Sequence, residues 1–250
     1  MGVAARTIEV FEDIDLLTRR AAELFADCSN EAVAKRGRYA VALSGGRTPR
    51  GLYSLLAEGA DYRDRIPWRA IHFFFGDERC VPPDHPDSNF RMAKEAMLSK
   101  LDIPEENIHR IRAELPAARA AEEYEEELRR FFSLAEGQAP NFDLVLLGMG
   151  ADGHTASLFP GTDALQERRR LVLAVWAAKL GAFRITLTPP ALNAPELVLF
   201  LVAGADKAVA LEAVLEGRPE PDRYPAQAIQ PPHGSLIWLI ERAAASRLRR

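Results

Sequence analysis

His154 stands in the stretch GMGADGHTASLFPG (148–161), two residues after Asp152 and among Gly148, Gly150 and Gly153. Glycine is costly to order unless the backbone turns sharply or something must approach it closely. The stretch therefore reads as a turn that exposes its histidine. Imidazole can accept and return a proton near neutrality, and a carboxylate two residues away can orient the ring. This is the equipment of general acid–base chemistry, with His154 as base and Asp152 as partner. A lone histidine is structural by default; the flanking glycines take His154 out of that default. His72, His85, His109 and His233 form no HExxH or similar pairing with it, so no metal role is read. No GxSxG marks a nucleophilic serine. The glycines at 148, 150 and 153 have GxGxxG spacing, but they enclose a charged side chain, which argues against a dinucleotide loop.

Two other segments carry polar chemistry. In SGGRTPRG (44–51), Gly45 and Gly46 permit a tight turn with free amides, and Thr48 and Pro49 suit an N-cap and a first helical residue. A helix start preceded by free N–H groups binds anions, and Ser44, Arg47 and Thr48 would add donors. A turn that needs glycine for geometry alone fits the same residues. No Lys follows the second glycine, so this is no GxxxxGK[ST] loop. In GDERCVPPDHPDSNF (76–90), Asp77, Glu78 and Arg79 place two carboxylates beside a guanidinium. A surface ion pair would contribute little, but these residues directly follow a very apolar run. Asp77 and Arg79 are the candidates here; Ser88 and Asn89 read as the capped start of a helix.

These segments need a scaffold, and the chain supplies alternating strand-length apolar runs and helical patterns. Strands are predicted at 39–43, 70–75, 142–147, 170–175, 184–188, 197–202 and 235–240, and helices at 13–35, 49–58, 89–100, 117–135, 205–216 and 241–248. Continuously apolar strands alternating with helices indicate βαβ units and a parallel sheet buried on both faces. In such sheets ligands bind beyond the carboxyl ends of the strands, where all three segments fall. The acidic run AEEYEEELRR is read as a solvated helix face with Tyr124, Leu128 and Phe131 turned inward, and the C-terminal SRLRR as a helix end.

Composition is that of an ordinary globular chain: 250 residues, 48% hydrophobic and 27% charged. We expect one α/β domain over 1–250. A net charge of −4 argues against a nucleic-acid partner, and no apolar run is long enough to span a membrane. The N-terminal segment has acidic residues and no long apolar core, unlike a secretory signal. Two cysteines make neither a disulfide framework nor a metal spacing and fit a reducing cytoplasm. No oligomeric state is read from the sequence.

SGGRTP, GDERCVPPDHPDSN, GMGADGHTASLFPG, RITLTPPALN and GADKAVAL follow one another from residue 44 to about 211. Together they resemble the 6-phosphogluconolactonase family, within the group that includes glucosamine-6-phosphate deaminase/isomerase. The resemblance implies a Rossmann-like, mostly parallel sheet of the deaminase/isomerase type. It implies hydrolysis of 6-phospho-glucono-δ-lactone to 6-phosphogluconate, a step of the oxidative pentose phosphate pathway, without metal or organic cofactor. It makes His154 the base that activates water, with Asp152 as its partner. Ser44, Gly45, Gly46, Arg47, Thr48, Asp77, Arg79, Gly150, Arg184 and Lys207 become candidates for holding phosphate and sugar hydroxyls. The chain departs from the family at Arg47, where a small serine is commoner, and at WAAKLGAF (176–183), where many members have a proline-rich segment around the lysine. No role is therefore carried over to Lys179.

Deaminases look similar at the first loop and at DGH, but typically have Asp-Glu-Tyr at 77–79 and a glutamate five residues after the histidine. Phe159 stands there in this chain and cannot exchange protons. A non-catalytic sugar-phosphate sensor would need an output element, and the first forty residues offer one helix and no basic face. An ATP pyrophosphatase is a third reading, for which Thr48-Pro49 stand where that family has Asp-Ser.

Overall fold

The structure, a computed structural model, describes residues 6–249. Residues 1–5, part of the N-terminal segment discussed above, and Arg250 of the SRLRR end lie outside the described residues.

Among the described residues nine strands are formed: β1 (Arg6–Phe11), β2 (Tyr39–Leu43), β3 (Ile71–Phe75), β4 (Asp77–Arg79), β5 (Leu144–Leu147), β6 (Val172–Ala177), β7 (Ala182–Leu187), β8 (Leu197–Val202) and β9 (Ser235–Glu241). Six of them make a sheet in the order β1-β9-β8-β5-β2-β3, parallel throughout. Its central strands β2, β5 and β8 are buried along their whole length. That is why they read as unbroken apolar runs rather than alternating ones. The chain is mostly parallel α/β, as expected.

The main helices are α1 (Ile14–Arg36), α2 (Arg47–Glu58), α3 (Ala60–Arg63), α4 (Asn89–Ala96), α5 (Ala117–Phe132), α6 (Pro189–Leu192) and α7 (Ala208–Glu216). Asp13 caps α1, accepting from the Leu16 amide at 2.9 Å, and Gly37 ends it in the left-handed region at φ 74°. Helix α5 buries Tyr124 and Leu128, as its amphipathic spacing requires. One continuous cluster of buried apolar side chains joins residues of both sheets to these helices.

Four expectations are corrected. The runs at 170–175 and 184–188 are not parallel strands. They are β6 and β7 of a separate antiparallel sheet ordered β4-β7-β6, because the connection turning at Gly181 (φ 59°) is too short for a parallel crossover. Helix α2 begins at Arg47 with Gly46 as its cap, not at Pro49 with Thr48 as cap. Gly46 adopts φ 105°, which a threonine would resist, and its carbonyl accepts the Arg50 amide at 3.1 Å. The helix placed at 241–248 is instead a run of turns over 242–247. There Arg242 N donates to Phe11 O at 2.7 Å, tying the chain to β1. Strands β1 and β4 went unpredicted: β1 is an edge strand with one mostly exposed face, and β4 is the three polar residues Asp77-Glu78-Arg79.

Candidate active site

Strands β8, β5, β2 and β3 are consecutive in the parallel sheet. The segments leaving their carboxyl ends are therefore neighbours at one edge: Gly204–Lys207, Gly148–His154, Ser44–Thr48 and Gly76–Arg79. The topology thus brings four of the five motifs together, and β7 adds Arg184 of the fifth through its pairing with β4.

His154 and Asp152 are about one-third exposed. The imidazole Nδ1 lies 2.5 Å from Asp152 Oδ1, which also accepts the His154 amide at 3.2 Å. Burial pushes the Asp152 carboxyl up, but hydrogen bonding and charge from His154, with the charge of Lys179, outweigh it. The net pKa lies below the ordinary carboxylate value, so Asp152 is an anion that fixes Nδ1–H and leaves Nε2 as the basic nitrogen. Gly150 is required by this pair: a Cβ there would come within 2.1 Å of His154 Nδ1. Its amide donates to His154 O at 2.8 Å, closing the loop on itself. Gly153, at φ 79°, lies against Tyr224, and its carbonyl accepts the Ala226 amide at 2.9 Å. The chain around Tyr224–Ala226 thus backs the loop. Phe159 packs on the imidazole, with ring centroids 4.8 Å apart.

Asp77 takes a different part from the expected ligand contact. It is buried, with Oδ2 accepting from Ser157 Oγ at 2.7 Å and Oδ1 from Asn89 Nδ2 at 3.1 Å. Ser157 N in turn donates to Thr186 Oγ1 at 3.1 Å. Asn89 lies so close to Gly45 that a Cβ there would meet Asn89 Oδ1 at 1.9 Å. Asp77 therefore ties the histidine loop, the first loop, α4 and β7 into one unit. Glu78 turns the other way and receives the amides of Asn89 and Phe90 and the Ser88 hydroxyl at the start of α4.

Arg79 and Arg184 are cross-strand partners of the β4–β7 pair. Burial first, then the charge of Arg79, lowers the Arg184 pKa, with Asp77 opposing. Two guanidiniums side by side repel unless an anion lies between them. Arg79 also donates to Asp87 O at 2.5 Å. Ser44 is buried, its backbone held by the Tyr53 hydroxyl. The start of α2 receives no side-chain cap, so its first amides remain open to an anion at the positive end of the helix dipole. Arg47 is exposed there. The Lys207 ammonium pairs with Asp206 at 2.9 Å, and the charge of Arg47 also acts on Asp206.

Ser157, Asn89, Thr186 and Tyr224 were not singled out as parts of the site, nor was any role given to Lys179, whose Nζ lies 3.5 Å from Asp152 Oδ2. Ser157 sits inside the GHTAS stretch, which was the one available signal. The others become legible only when separate elements meet. Among the described residues no group of His, Cys, Asp or Glu could hold a metal ion, and no helix is long and apolar enough to cross a membrane.

A parallel sheet with amide-rich turns, a carboxylate-held imidazole and paired guanidiniums at one edge defines an α/β fold equipped for acid–base chemistry beside an anion site. The profile of the family described as glucosamine-6-phosphate isomerases/6-phosphogluconolactonase matches residues 12–238, and the chain belongs to this family. It is 46% identical to a 6-phosphogluconolactonase of Nostoc sp., covering 97% of this chain and 98% of that one. With the human 6-phosphogluconolactonase it shares 39% identity over 95% of this chain and 92% of that one. The solved 6-phosphogluconolactonase from Trypanosoma cruzi superposes with a TM-score of 0.87, at 29% identity, covering 100% of this chain and 99% of that one.

Proposed function

We propose that this chain hydrolyses 6-phospho-glucono-δ-lactone to 6-phosphogluconate, in the cytoplasm, with His154 as general base. The carrying observation is the 2.5 Å pairing of His154 Nδ1 with Asp152 at the edge where anion-binding turns converge. With Nδ1–H held by the carboxylate, Nε2 takes a proton from water as the water oxygen bonds to C1 of the lactone. The C1–O bond to the ring oxygen then breaks, and the imidazolium returns its proton to that oxygen as it leaves as an alcohol. The carboxylic acid formed ionises at neutral pH. Asp152 stabilises the transient imidazolium, and general-base catalysis of this kind contributes roughly 10²–10⁴-fold. Arg79, Arg184 and the amides at the start of α2 hold the phosphate, whose binding energy orients the reacting carbon. Ser44, Gly45, Gly46, Arg47, Thr48 and Lys207 complete that wall. Phe159 beside the imidazole supports hydrolysis over aldose–ketose chemistry, which needs a second proton-transfer group there.

The test is hydrolysis of freshly generated lactone, with EDTA present and a no-enzyme blank for spontaneous opening. Wild type should be fast. His154→Ala should lose at least about a hundredfold in kcat with a smaller change in KM. Near-normal turnover by the variant would remove His154 from the mechanism.

A further inference from the structure

Asp152 has two carboxylate oxygens, and the mechanism above uses one. Oδ1 meets His154 Nδ1 at 2.5 Å and accepts the His154 amide at 3.2 Å. Among the described residues Oδ2 meets only the Lys179 ammonium, at 3.5 Å. Lys179 lies in the short turn Ala178–Leu180 that joins β6 to β7, so a separate element delivers it to the histidine loop. As a prop for the fold this pair means little: the Lys179 side chain is 78% exposed, and ion pairs in water contribute little to stability.

Its charge has another use. A carboxylate in contact with an imidazole favours the protonated ring, and a protonated ring cannot take a proton from water. A cation on the far oxygen opposes this, because it offsets part of the carboxylate's charge and repels the imidazolium. Asp152 registers both neighbours: burial raises its pKa, while His154 and then Lys179 lower it. The remaining side chains against the ring and its loop are the phenyl of Phe159 and the phenol of Tyr224. The Arg223 guanidinium lies over the Tyr224 ring at 5.2 Å, and Arg47, Arg79, Arg184 and Lys207 stand on the segments along the same edge. We propose that Lys179 is a positioning residue which, through Asp152, keeps the His154 imidazole unprotonated and ready to accept a proton at neutral pH. That role rests on the function proposed above; the charge coupling between Lys179 and His154 does not.

The experiment is an NMR pH titration of the five histidine rings in the full ¹⁵N-labelled chain, the His154 signal being the one missing in His154→Gln. All other charged groups named here are the same in wild type and in the Lys179 variants, so a difference between the curves isolates Lys179. In Lys179→Gln the His154 midpoint should rise by roughly 0.2–0.7 pH unit, the coupling that an exposed ion pair supplies. In Lys179→Arg, which keeps the charge, it should stay within about 0.1 of wild type. The acid limb of kcat/KM for the lactone should move with the midpoint. An unmoved midpoint in Lys179→Gln would overturn the proposal, and so would an equal rise in both variants, since the charge would then not be the cause. Midpoints that move as expected in a protein without lactone turnover would remove the lactonase reading and uphold the coupling.

Discussion

At the scale of single residues, the site is built from side chains held in positions they would not choose alone. Gly150 has no side chain because the His154 ring occupies that volume. Ala156, in the same loop, adopts φ 45°, a conformation costing of order 1 kcal/mol or more for a residue other than glycine. Arg79 and Arg184 face each other across a strand pair, an arrangement that costs stability and gains meaning only with an anion present. Arg184→Ala should therefore separate the two quantities. KM for the phosphorylated lactone should rise about 10–100-fold, the value of a lost charge-assisted hydrogen bond, while kcat changes less. The melting temperature should hold or rise as the repulsion is relieved. A kcat-only effect in steady-state kinetics would contradict its assignment to the phosphate.

At the scale of elements, one buried carboxylate, Asp77, ties the histidine loop, the first loop, α4 and β7 together. Ser157→Ala removes a 2.7 Å hydrogen bond to Asp77 and leaves that anion short of a partner, at a cost of about 1–3 kcal/mol. Because Ser157 lies three residues after His154, kcat should fall severalfold alongside the melting temperature. Unchanged thermal stability would take the Asp77–Ser157 bond out of the brace. The strands and the loops after them were legible because burial on both faces imposes unbroken apolar runs, as in LVLFLV, and glycine marks the turns. His154 and Asp152 were legible for the same local reason. The role of Asp77 was not: a carboxylate at a strand end reads alike whether it faces a ligand or Ser157, which is 80 residues away in the chain. Strand β4 escaped because three polar residues carry no period. The Gly46 cap escaped because Thr48-Pro49 imitates the usual signal two residues on. Lys179 and Tyr224 reach the site only through tertiary packing, which no local pattern encodes.

At the scale of the whole molecule, the layer between β3 and α5 contains a chain of titratable groups remote from the catalytic edge. His72 Nδ1 lies 3.1 Å from His109 Nε2, and His109 Nδ1 lies 2.6 Å from Glu127 Oε1. Phe74 stacks on His109 at 4.1 Å, and Phe131 closes over His72 at 4.7 Å. Burial first, then the charges of His109 and Arg38, hold the His72 pKa down to about 4. An unfolded histidine titrates near ~6.5, so from about pH 6.5 to 4 the unfolded chain binds a proton that the folded one refuses. Stability is thus complete above this window and falls as pH drops through it. Glu127 is shifted down as well: its hydrogen bond to His109 lowers its pKa, and its contribution is lost at still lower pH. His72 is only about half buried, so water screens part of the effect, and we expect a loss of a few degrees in melting temperature at about 2–4 °C per kcal/mol for a chain of this size. His72→Phe keeps an aromatic ring in the layer and removes the proton site. Its melting temperature, followed from neutral pH down to about 4.5, should decline less steeply than that of wild type. The carboxylates, including Glu127, titrate in both proteins, so the difference between the two curves isolates His72. Parallel curves would show that His72 does not set the acid limit of this fold.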